Sequence, residues 1–164
     1  MNNVILNHSE INHKIRRIAF QIYESNVNES EIIIAGIDSN GYILAKKLKS
    51  ALQKISDINP ILCKVIIDKK NPWKPIKTSI KAEEYKNKSL VLVDDVLNSG
   101  TTLIYGVKHF LDVPLKQFKT AVLVNRNHKK YPVKADFKGI SLSTSLHEHV
   151  EVILEGKAYE VILE

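Results

Sequence analysis

The chain has 164 residues, of which 44% are hydrophobic and 26% are charged; this composition predicts one globular domain over residues 1–164 and excludes intrinsic disorder. We expect neither a secretory signal nor a membrane helix, because no apolar run reaches the roughly 20 residues that such a helix needs. The net charge of +6 is typical either of a mildly basic soluble surface or of a protein that binds phosphates or RNA. The single cysteine, Cys63, cannot form an internal disulfide and indicates a cytoplasmic protein.

Strands and helices alternate along the chain. Apolar residues at helical spacing from Ile11 to Ile22 predict a first helix, with Ser9 as its N-cap. Short runs rich in β-branched residues then predict buried strands, and two of these strands precede amphipathic helices. The strands are predicted over residues 31–37, 61–67, 88–94 and 118–124, and the helices over residues 44–55 and 103–111.

Two further segments complete the pattern. Residues 68–84 are polar and rich in lysine, which predicts a long loop or an extended hairpin. In the tail, residues 150–154 and 159–163 are predicted to be strands joined by a turn at Gly156. The alternation predicts an α/β fold with a mainly parallel, twisted sheet flanked by helices, in which ligands bind beyond the carboxyl ends of the strands.

The most informative motif follows the third predicted strand. That strand ends in two adjacent acids, Asp94 and Asp95, and residues 98–102 then form a loop of small polar residues that leads into a helix. Gly100 allows a ligand to approach the backbone, and free N–H groups at a helix N-terminus favour a phosphate. The two carboxylates can accept hydrogen bonds from neighbouring hydroxyls. The motif therefore predicts a site for a phosphorylated sugar; a generic strand end with two solvated acids is the alternative.

These residues resemble a known family. Residues 90–102 are similar to the signature of type I phosphoribosyltransferases that binds 5-phosphoribosyl 1-pyrophosphate (PRPP): four apolar residues, two acids, two apolar residues and a loop rich in Gly and Thr. Residues 36–45 resemble the pyrophosphate-binding loop of these enzymes, and residues 121–128 and 134–139 resemble their nucleobase-side segments. Apart from residues 68–84 and the tail, nearly the whole chain is similar in order and spacing to pyrimidine-operon attenuation regulators, which are uracil phosphoribosyltransferases that also bind messenger RNA.

The resemblance implies a fold, a reaction and partners. The fold would be the type I phosphoribosyltransferase fold, with a small hood and a flexible lid loop. The reaction would transfer the phosphoribosyl group of PRPP to a nucleobase, uracil or another pyrimidine, with release of pyrophosphate. Mg²⁺ would be the cofactor, held mainly by substrate oxygens, with Asp94 and Asp95 acting through water. Members of the subgroup self-associate, which implies a homodimer or a higher homo-oligomer.

The resemblance also assigns roles to individual residues. The catalytic residues would be the two acids at the ribose hydroxyls, Asp94 and Asp95. The 5-phosphate would be bound by Asn98, Ser99, Gly100, Thr101 and Thr102. The pyrophosphate would be bound by Ser39, Asn40 and Gly41, in a loop that often contains a non-proline cis peptide bond. The nucleobase would be bound by Asn125, Arg126, His149 and Val150.

The chain departs from the subgroup at several of these positions. Asn40 stands where the subgroup usually has Arg, which predicts weaker PRPP binding unless a lysine from elsewhere compensates. Asn125 stands where purine enzymes have Lys and pyrimidine enzymes commonly have Asp. Residues 68–84 would form the lid but lack the acid-rich Tyr-Arg motif of the subgroup. Three lysines of this segment are either pyrophosphate ligands or a solvated, mobile face: Lys69, Lys70 and Lys74. Trp73 is either a lid aromatic or a dimer contact. His149 is either a base contact or, with His147, part of an exposed strand.

Two alternatives to an active enzyme remain open. One is an RNA-binding regulator of a pyrimidine operon that senses nucleotides or PRPP with little turnover, and the other is a relative that binds its ligands without turnover. RNA would need a basic surface outside the pocket, although a run of lysines is also typical of a solvated face. The candidates for that surface are Arg16, Arg17, Lys46, Lys47, Lys49, Lys129, Lys130 and Lys134.

Overall fold

The computed structural model describes residues 3–164. Its strands and helices alternate in the predicted manner and are numbered here in chain order. They are β1 (Asn3–Leu6), α1 (His8–Glu24), β2 (Glu31–Ile37), α2 (Asn40–Ile55), β3 (Asn59–Ile66), β4 (Lys77–Thr78), α3 (Ala82–Tyr85), β5 (Ser89–Leu97), α4 (Thr101–Phe110), β6 (Gln117–Asn125), β7 (Phe137–Ser141), β8 (Val150–Ile153) and β9 (Glu160–Leu163).

The main sheet contains six strands in the order β4-β3-β2-β5-β6-β7. The pairs from β3 to β7 are parallel, and only the two-residue edge strand β4 runs antiparallel to its neighbour. The predicted mainly parallel sheet is therefore confirmed. β5 lies near the centre of the sheet between β2 and β6, so the carboxyl end of β5 is flanked by the ends of both neighbours.

Two apolar clusters cover the faces of this sheet. Successive residues of a strand point to opposite faces, and in β2 the side chains of Ile32 and Ile34 join one cluster while those of Ile33 and Ala35 join the other. The first cluster also contains the buried faces of α1 and α2, and the second contains Phe110 of α4. The sheet is thus packed on both faces, which explains its continuous apolar strands.

A second, smaller sheet forms the hood. Its three antiparallel strands lie in the order β1-β9-β8, and their buried side chains, such as those of Val152 and Val161, belong to the same apolar cluster as α1 and α2. The two predicted tail strands are confirmed. β1 was not predicted, because it pairs only with residues 161–163, more than 150 positions away in the chain.

The structure corrects the sequence analysis at several element boundaries. Ser9 is not the N-cap of α1. Asn7 is, because its side chain accepts a 2.9 Å hydrogen bond from the N–H of Glu10 and its own N–H donates to the Glu10 side chain at 3.1 Å. β7 was missed, and residues 68–84 contain β4 and the start of α3. β5 continues three residues beyond Asp94, because residues 94–97 keep pairing with β6.

No helix among residues 3–164 has both the length and the apolar character needed to cross a bilayer.

Candidate active site

A cavity of about 320 Å³ opens at the carboxyl end of β5, between the main sheet and the hood. Several separate parts of the chain meet in its wall: the start of α2, the segment after β3, the end of β5 with the loop into α4, one residue of β6, and the hood. The lining consists of Asn40, Lys69, residues 94–103, Val122 and residues 149–152.

The two carboxylates at this end of β5 differ in burial. Asp94 is 4% exposed, and its Oδ1 accepts a 2.8 Å hydrogen bond from the N–H of Asp95. Burial first, and then the charge of Asp95, raise the pKa of Asp94 well above its ordinary value of 3.8, while the positive charge of Lys69 acts against this rise. Asp95 is half-buried, and its Oδ1 accepts a 2.8 Å bond from the N–H of Val96. One acid is therefore held inside the fold beside a more exposed one.

The loop between β5 and α4 turns at a glycine. Gly100 has a φ of +86°, in the left-handed region that favours glycine, and an added Cβ there would lie 2.7 Å from Cγ1 of Val133. Gly100 is also the N-cap of α4, so no side chain caps the helix. The hydroxyls of Ser99 and Thr101 lie 2.8 Å apart in the loop. The loop thus presents hydroxyls and the positive end of a helix dipole to the cavity, which is the environment that an anion prefers.

The loop between β2 and α2 approaches the same acids from the other side. The Asp38–Ser39 peptide bond is cis. Gly41 packs against β5, because an added Cβ would lie 2.8 Å from the carbonyl oxygen of Val93. Asn40 reaches the cavity, and its Nδ2 donates to Oδ2 of Asp95 at 3.2 Å. Of the three residues predicted to bind pyrophosphate, only Asn40 belongs to the lining; Ser39 and Gly41 flank it.

Residues 1–155 match the family model described as the phosphoribosyl transferase domain. The chain belongs to the phosphoribosyltransferase family. The bifunctional protein PyrR of Fusobacterium nucleatum is 34% identical, and the alignment covers 98% of this chain and 97% of that protein. The PyrR of Corynebacterium glutamicum is also 34% identical, over 92% of this chain and 84% of that protein.

Solved structures of phosphoribosyltransferases share the fold. The hypoxanthine phosphoribosyltransferase of Trypanosoma cruzi superposes with a TM-score of 0.80 at 14% identity, covering 98% of this chain and 95% of the other. A hypoxanthine-guanine phosphoribosyltransferase from Bacillus anthracis gives a TM-score of 0.71 at 18% identity, covering 85% and 82%. At these identities the likeness shows the fold alone. Together with the family match, it confirms the predicted type I phosphoribosyltransferase fold and makes the chain a phosphoribosyltransferase.

The lid segment of this phosphoribosyltransferase contributes one side chain to the cavity. Lys69 lines it, whereas Lys74 lies 3.9 Å from the carboxylate of Asp68. Oδ1 of Asp68 also accepts from the N–H groups of Lys70 and Asn71, at 3.0 and 3.2 Å. Trp73 is 65% exposed and borders a separate 160 Å³ cavity against α4. Of the lysines in residues 68–84, only Lys69 lines the cavity that contains the two acids.

The predicted nucleobase residues divide into two pairs. His149 and Val150 line the cavity from the hood. Asn125 and Arg126, at and just beyond the end of β6, are 4% and 7% exposed and lie outside the lining. The amide of Asn125 donates to the side chain of Asn127 at 3.2 Å. The role of all four residues at a nucleobase stays a prediction.

Arg126 has a structural connection that the sequence analysis missed. Its guanidinium donates to Oδ1 of Asn98 at 3.1 Å, to Oγ1 of Thr144 at 3.0 and 2.9 Å, and to the carbonyl oxygen of Glu148 at 2.6 Å. It thereby joins the loop after β5 to the segment that leads into the hood. An Arg directly after an apolar strand gives no sequence signal of this kind, because its partners lie 18 to 28 positions away.

Other lining residues were also missed. Val152 follows Val150 on the buried face of β8, and the alternation of that strand was a usable signal. Val122 reaches the cavity because it pairs with Asp94 in the parallel register of β5 and β6. Register between strands is a property of the assembled sheet, so no local pattern around Val122 pointed to the site.

Proposed function

We propose that this enzyme transfers the 5-phosphoribosyl group of PRPP to uracil or another pyrimidine base and releases pyrophosphate. The observation that carries the proposal is the 320 Å³ cavity in which the acids Asp94 and Asp95 meet the uncapped N-terminus of α4. One end of this cavity suits a phosphate and the other suits a pair of hydroxyls. A ribose 5-phosphate carries both groups, on opposite sides of its ring.

In the proposed reaction the bond between C1 of the ribose and pyrophosphate breaks. A bond from C1 to a ring nitrogen of the base forms, and that nitrogen gives up its proton. The residues at 98–102 would hold the 5-phosphate, and Asp94 and Asp95 would accept hydrogen bonds from the ribose hydroxyls. Negative charge near C1 stabilises the positive charge that develops there in the transition state. The protein thus acts by positioning and electrostatics, with no covalent intermediate.

The residues of the cavity fit the Mg²⁺ that the family resemblance implies. Mg²⁺ prefers oxygen ligands, and it binds proteins through one or two carboxylates together with substrate phosphates. Asp94 and Asp95 offer such carboxylates. Residues 3–164 contain no group of three or more His, Cys, Asp or Glu side chains arranged to hold a metal, so water and PRPP oxygens would complete the ligand set. When bound, Mg²⁺ neutralises charge on the leaving pyrophosphate.

Two observations support a pyrimidine as the acceptor. Relatives that cover nearly the whole chain are named bifunctional protein PyrR, and the resemblance links that group to uracil phosphoribosyl transfer. Position 125 is Asn rather than the Lys with which purine enzymes of this class read a purine oxygen. The base would bind on the hood side of the cavity, beside His149 and Val150.

An assay of pyrophosphate release tests the proposal. The protein is incubated with PRPP, Mg²⁺ and one free base at a time: uracil, cytosine, orotate, hypoxanthine, guanine or adenine. We expect turnover with uracil above all other bases. Release with hypoxanthine or guanine alone would overturn the pyrimidine assignment. If no base leads to pyrophosphate release, the transferase assignment is overturned and a protein that binds PRPP without turnover is favoured.

We propose RNA binding as a second function, on the basis of a different surface. A groove of about 880 Å³ lies between α1, α2 and the turn of the hood, and Arg16, Lys46, Lys47 and Lys54 line it. These four cations include three of the predicted RNA-binding residues. Arg17 lies outside the groove, and its guanidinium donates to the carbonyl oxygens of residues 138 and 139, both at 2.8 Å.

Salt dependence separates an RNA site from a solvated basic face. The probe is the transcribed 5′ leader of a pyrimidine operon, and binding is measured between 50 and 200 mM salt, roughly the range in which phosphate contacts lose most affinity. We expect affinity to fall steeply with salt and to drop at least about tenfold in the double variant Lys46→Ala with Lys54→Ala. The control is Lys86→Ala, at an exposed lysine next to α3. Equal affinity in all three proteins would exclude the groove.

Self-association and a cytoplasmic location stay predictions. A homodimer or a higher homo-oligomer is implied by the resemblance, and sedimentation at several protein concentrations tests it. Cys63 is buried as a free thiol, which fits the reducing conditions expected for a cytoplasmic protein.

A further inference from the structure

The side chain of Asn40 connects three parts of the molecule. It belongs to the first turn of α2, and its Nδ2 donates to Oδ2 of Asp95 at 3.2 Å and to the backbone carbonyl oxygen of Val152 at 2.9 Å. These partners lie 55 and 112 positions away, at the end of β5 and in β8 of the hood. We call this pair of hydrogen bonds the Asn40 bridge.

The Asn40 bridge uses the full donor capacity of the amide. An Asn side chain has two N–H donors on one nitrogen, and each of the two carbonyl or carboxylate partners takes one. Asn40 therefore has no side-chain donor left for a pyrophosphate while the bridge is intact. This geometry differs from the role that the family resemblance assigns to the same position.

The Asn40 bridge also fixes the more exposed of the two acids. Oδ1 of Asp95 accepts from the N–H of Val96 at 2.8 Å, and Oδ2 accepts from Asn40. With one donor on each oxygen, the carboxylate is held at a defined rotation.

The positive charge that Asn40 lacks is supplied in the same cavity by another residue. Lys69 lines the cavity from the segment after β3, and its charge acts on Asp94. An arginine at position 40 would supply both a positive charge and hydrogen bonds. In this chain Lys69 supplies the positive charge and Asn40 supplies the hydrogen bonds.

We propose that Asn40 is a positioning residue, which sets the orientation of the Asp95 carboxylate and holds the hood strand β8 over the cavity. This proposal rests on the proposed transferase function. Asn40 acts through Asp95 and Val152, while Lys69 and Mg²⁺, when bound, would meet the charge of the pyrophosphate. Loss of the Asn40 bridge therefore lowers kcat and loosens the hood, with little change in the KM for PRPP.

Hydrogen–deuterium exchange of the free protein tests the structural half of this proposal. In Asn40→Leu, which is close in size but cannot donate, we expect amides of residues 150–153 to exchange roughly tenfold faster, while those of β2 and β5 stay unchanged. Asn40→Asp keeps the shape, replaces the donor by a carboxylate beside Asp95, and is the second variant if Asn40→Leu does not fold. Asn28→Leu, at an exposed turn residue between α1 and β2, is the matched control. Unchanged exchange in both Asn40 variants would overturn the Asn40 bridge.

Steady-state kinetics test the functional half. We expect kcat to fall about tenfold in the Asn40 variants with the KM for PRPP within a factor of two. A KM that rises with kcat unchanged would make Asn40 a direct pyrophosphate ligand and overturn the proposal. A wild-type protein without turnover on any base would instead overturn the transferase function, and the exchange experiment would still decide on the Asn40 bridge.

Discussion

The loops after β2 and after β5 occupy equivalent places in the fold but make different hydrogen bonds. Both leave the carboxyl end of a parallel strand and enter a helix that has no side-chain cap. In the β5 loop, the hydroxyl of Ser99 bonds within the loop to Thr101. The carbonyl oxygen of Ser99 and the side chain of Asn98 accept from residues that follow β6, Lys130 and Arg126. In the β2 loop, the side chain of Asn40 is bonded to two distant parts of the chain. The polar groups of the first loop thus line the cavity, whereas the side chain of Asn40 in the second loop links Asp95 to the hood.

Two loops at equivalent positions of one parallel sheet can therefore differ in what their side chains contact. A helix N-terminus at a strand end favours anions in general, but the side chains around it decide whether it is free to bind one. The β5 loop has Gly100 at its turn, where any side chain would meet Val133. The β2 loop has Gly41 pressed against the backbone of β5.

The largest expected effect comes from the acids between the two loops. We predict that Asp94→Asn combined with Asp95→Asn lowers kcat/KM by about 1,000-fold, because charge near C1 of the ribose is lost. Circular dichroism should show an intact fold. The measurement is pyrophosphate release, and Asp57→Asn, at an exposed acid after α2, is the control. Unchanged kinetics in the double variant would show that the active site lies elsewhere in the protein.

The next effect distinguishes the glycine of the β5 loop from a glycine with the same backbone conformation. Gly100→Ala should raise the KM for PRPP about tenfold, equivalent to roughly 1.4 kcal/mol of binding free energy, because the new Cβ displaces the loop. Gly156 has a φ of +83° and no neighbour within 4 Å of an added Cβ. Gly156→Ala thus carries the conformational strain without the clash.

Both glycine variants should lose about 1–2 kcal/mol of stability from a left-handed alanine. Only Gly100→Ala should change the KM for PRPP. Equal KM values in the two variants would show that the β5 loop does not hold the phosphate. Thermal melts and initial rates on the same protein preparations provide both measurements.

A smaller effect concerns stability rather than activity. Burial raises the pKa of Asp94, so between pH 3.8 and the folded-state pKa the native protein keeps a proton that the unfolded chain has lost. Wild-type stability therefore falls as pH rises through that window. Asp94→Asn removes this penalty, and its melting temperature at pH 7 should exceed that of the wild type. A gain of about 1 kcal/mol corresponds to roughly 3 °C for a domain of this size.

The sign of that effect can be checked by repeating the melts at lower pH. The advantage of Asp94→Asn should shrink toward pH 4, where the wild-type carboxyl is protonated in the folded protein. An advantage that is equal at both pH values, or a lower melting temperature at pH 7, would contradict the assigned cause.

The smallest effect is expected for the lysines beside the β5 loop. Lys130 donates to Ser99 only through its backbone N–H, at 2.7 Å, and the side chains of Lys129 and Lys130 are exposed. Lys129→Ala combined with Lys130→Ala should leave kcat and the KM for PRPP within a factor of two of wild type. A large loss of activity would contradict this prediction and show that charged side chains of this segment contact the substrate.

The β5 loop was the more predictable of the two regions. Its acids, glycine and hydroxyl residues are contiguous in the chain, and a contiguous motif on one strand end remains together in any α/β fold. The structure brings all of residues 94–95 and 98–102 to one cavity. Asn40 was predicted to lie at the site and does line the cavity, but its bonds to Asp95 and Val152 are known only once the hood is folded. The cap of α1 could have been found from the sequence, since Asn7 followed three residues later by Glu10 is a capping-box pattern. The apolar periodicity used instead marks the buried face and not the first turn.

Local order along the chain was sufficient for the four central strands of the main sheet, their parallel direction and the loop predicted to bind phosphate, because periodicity and turn chemistry act between near neighbours. The three-dimensional packing alone decided which lysine reaches the acids, that Arg126 joins two loops, and that Asn40 holds Asp95 to the hood. These are contacts between segments far apart in sequence, and they depend on strand register and on the placement of the hood, which no short stretch of residues encodes.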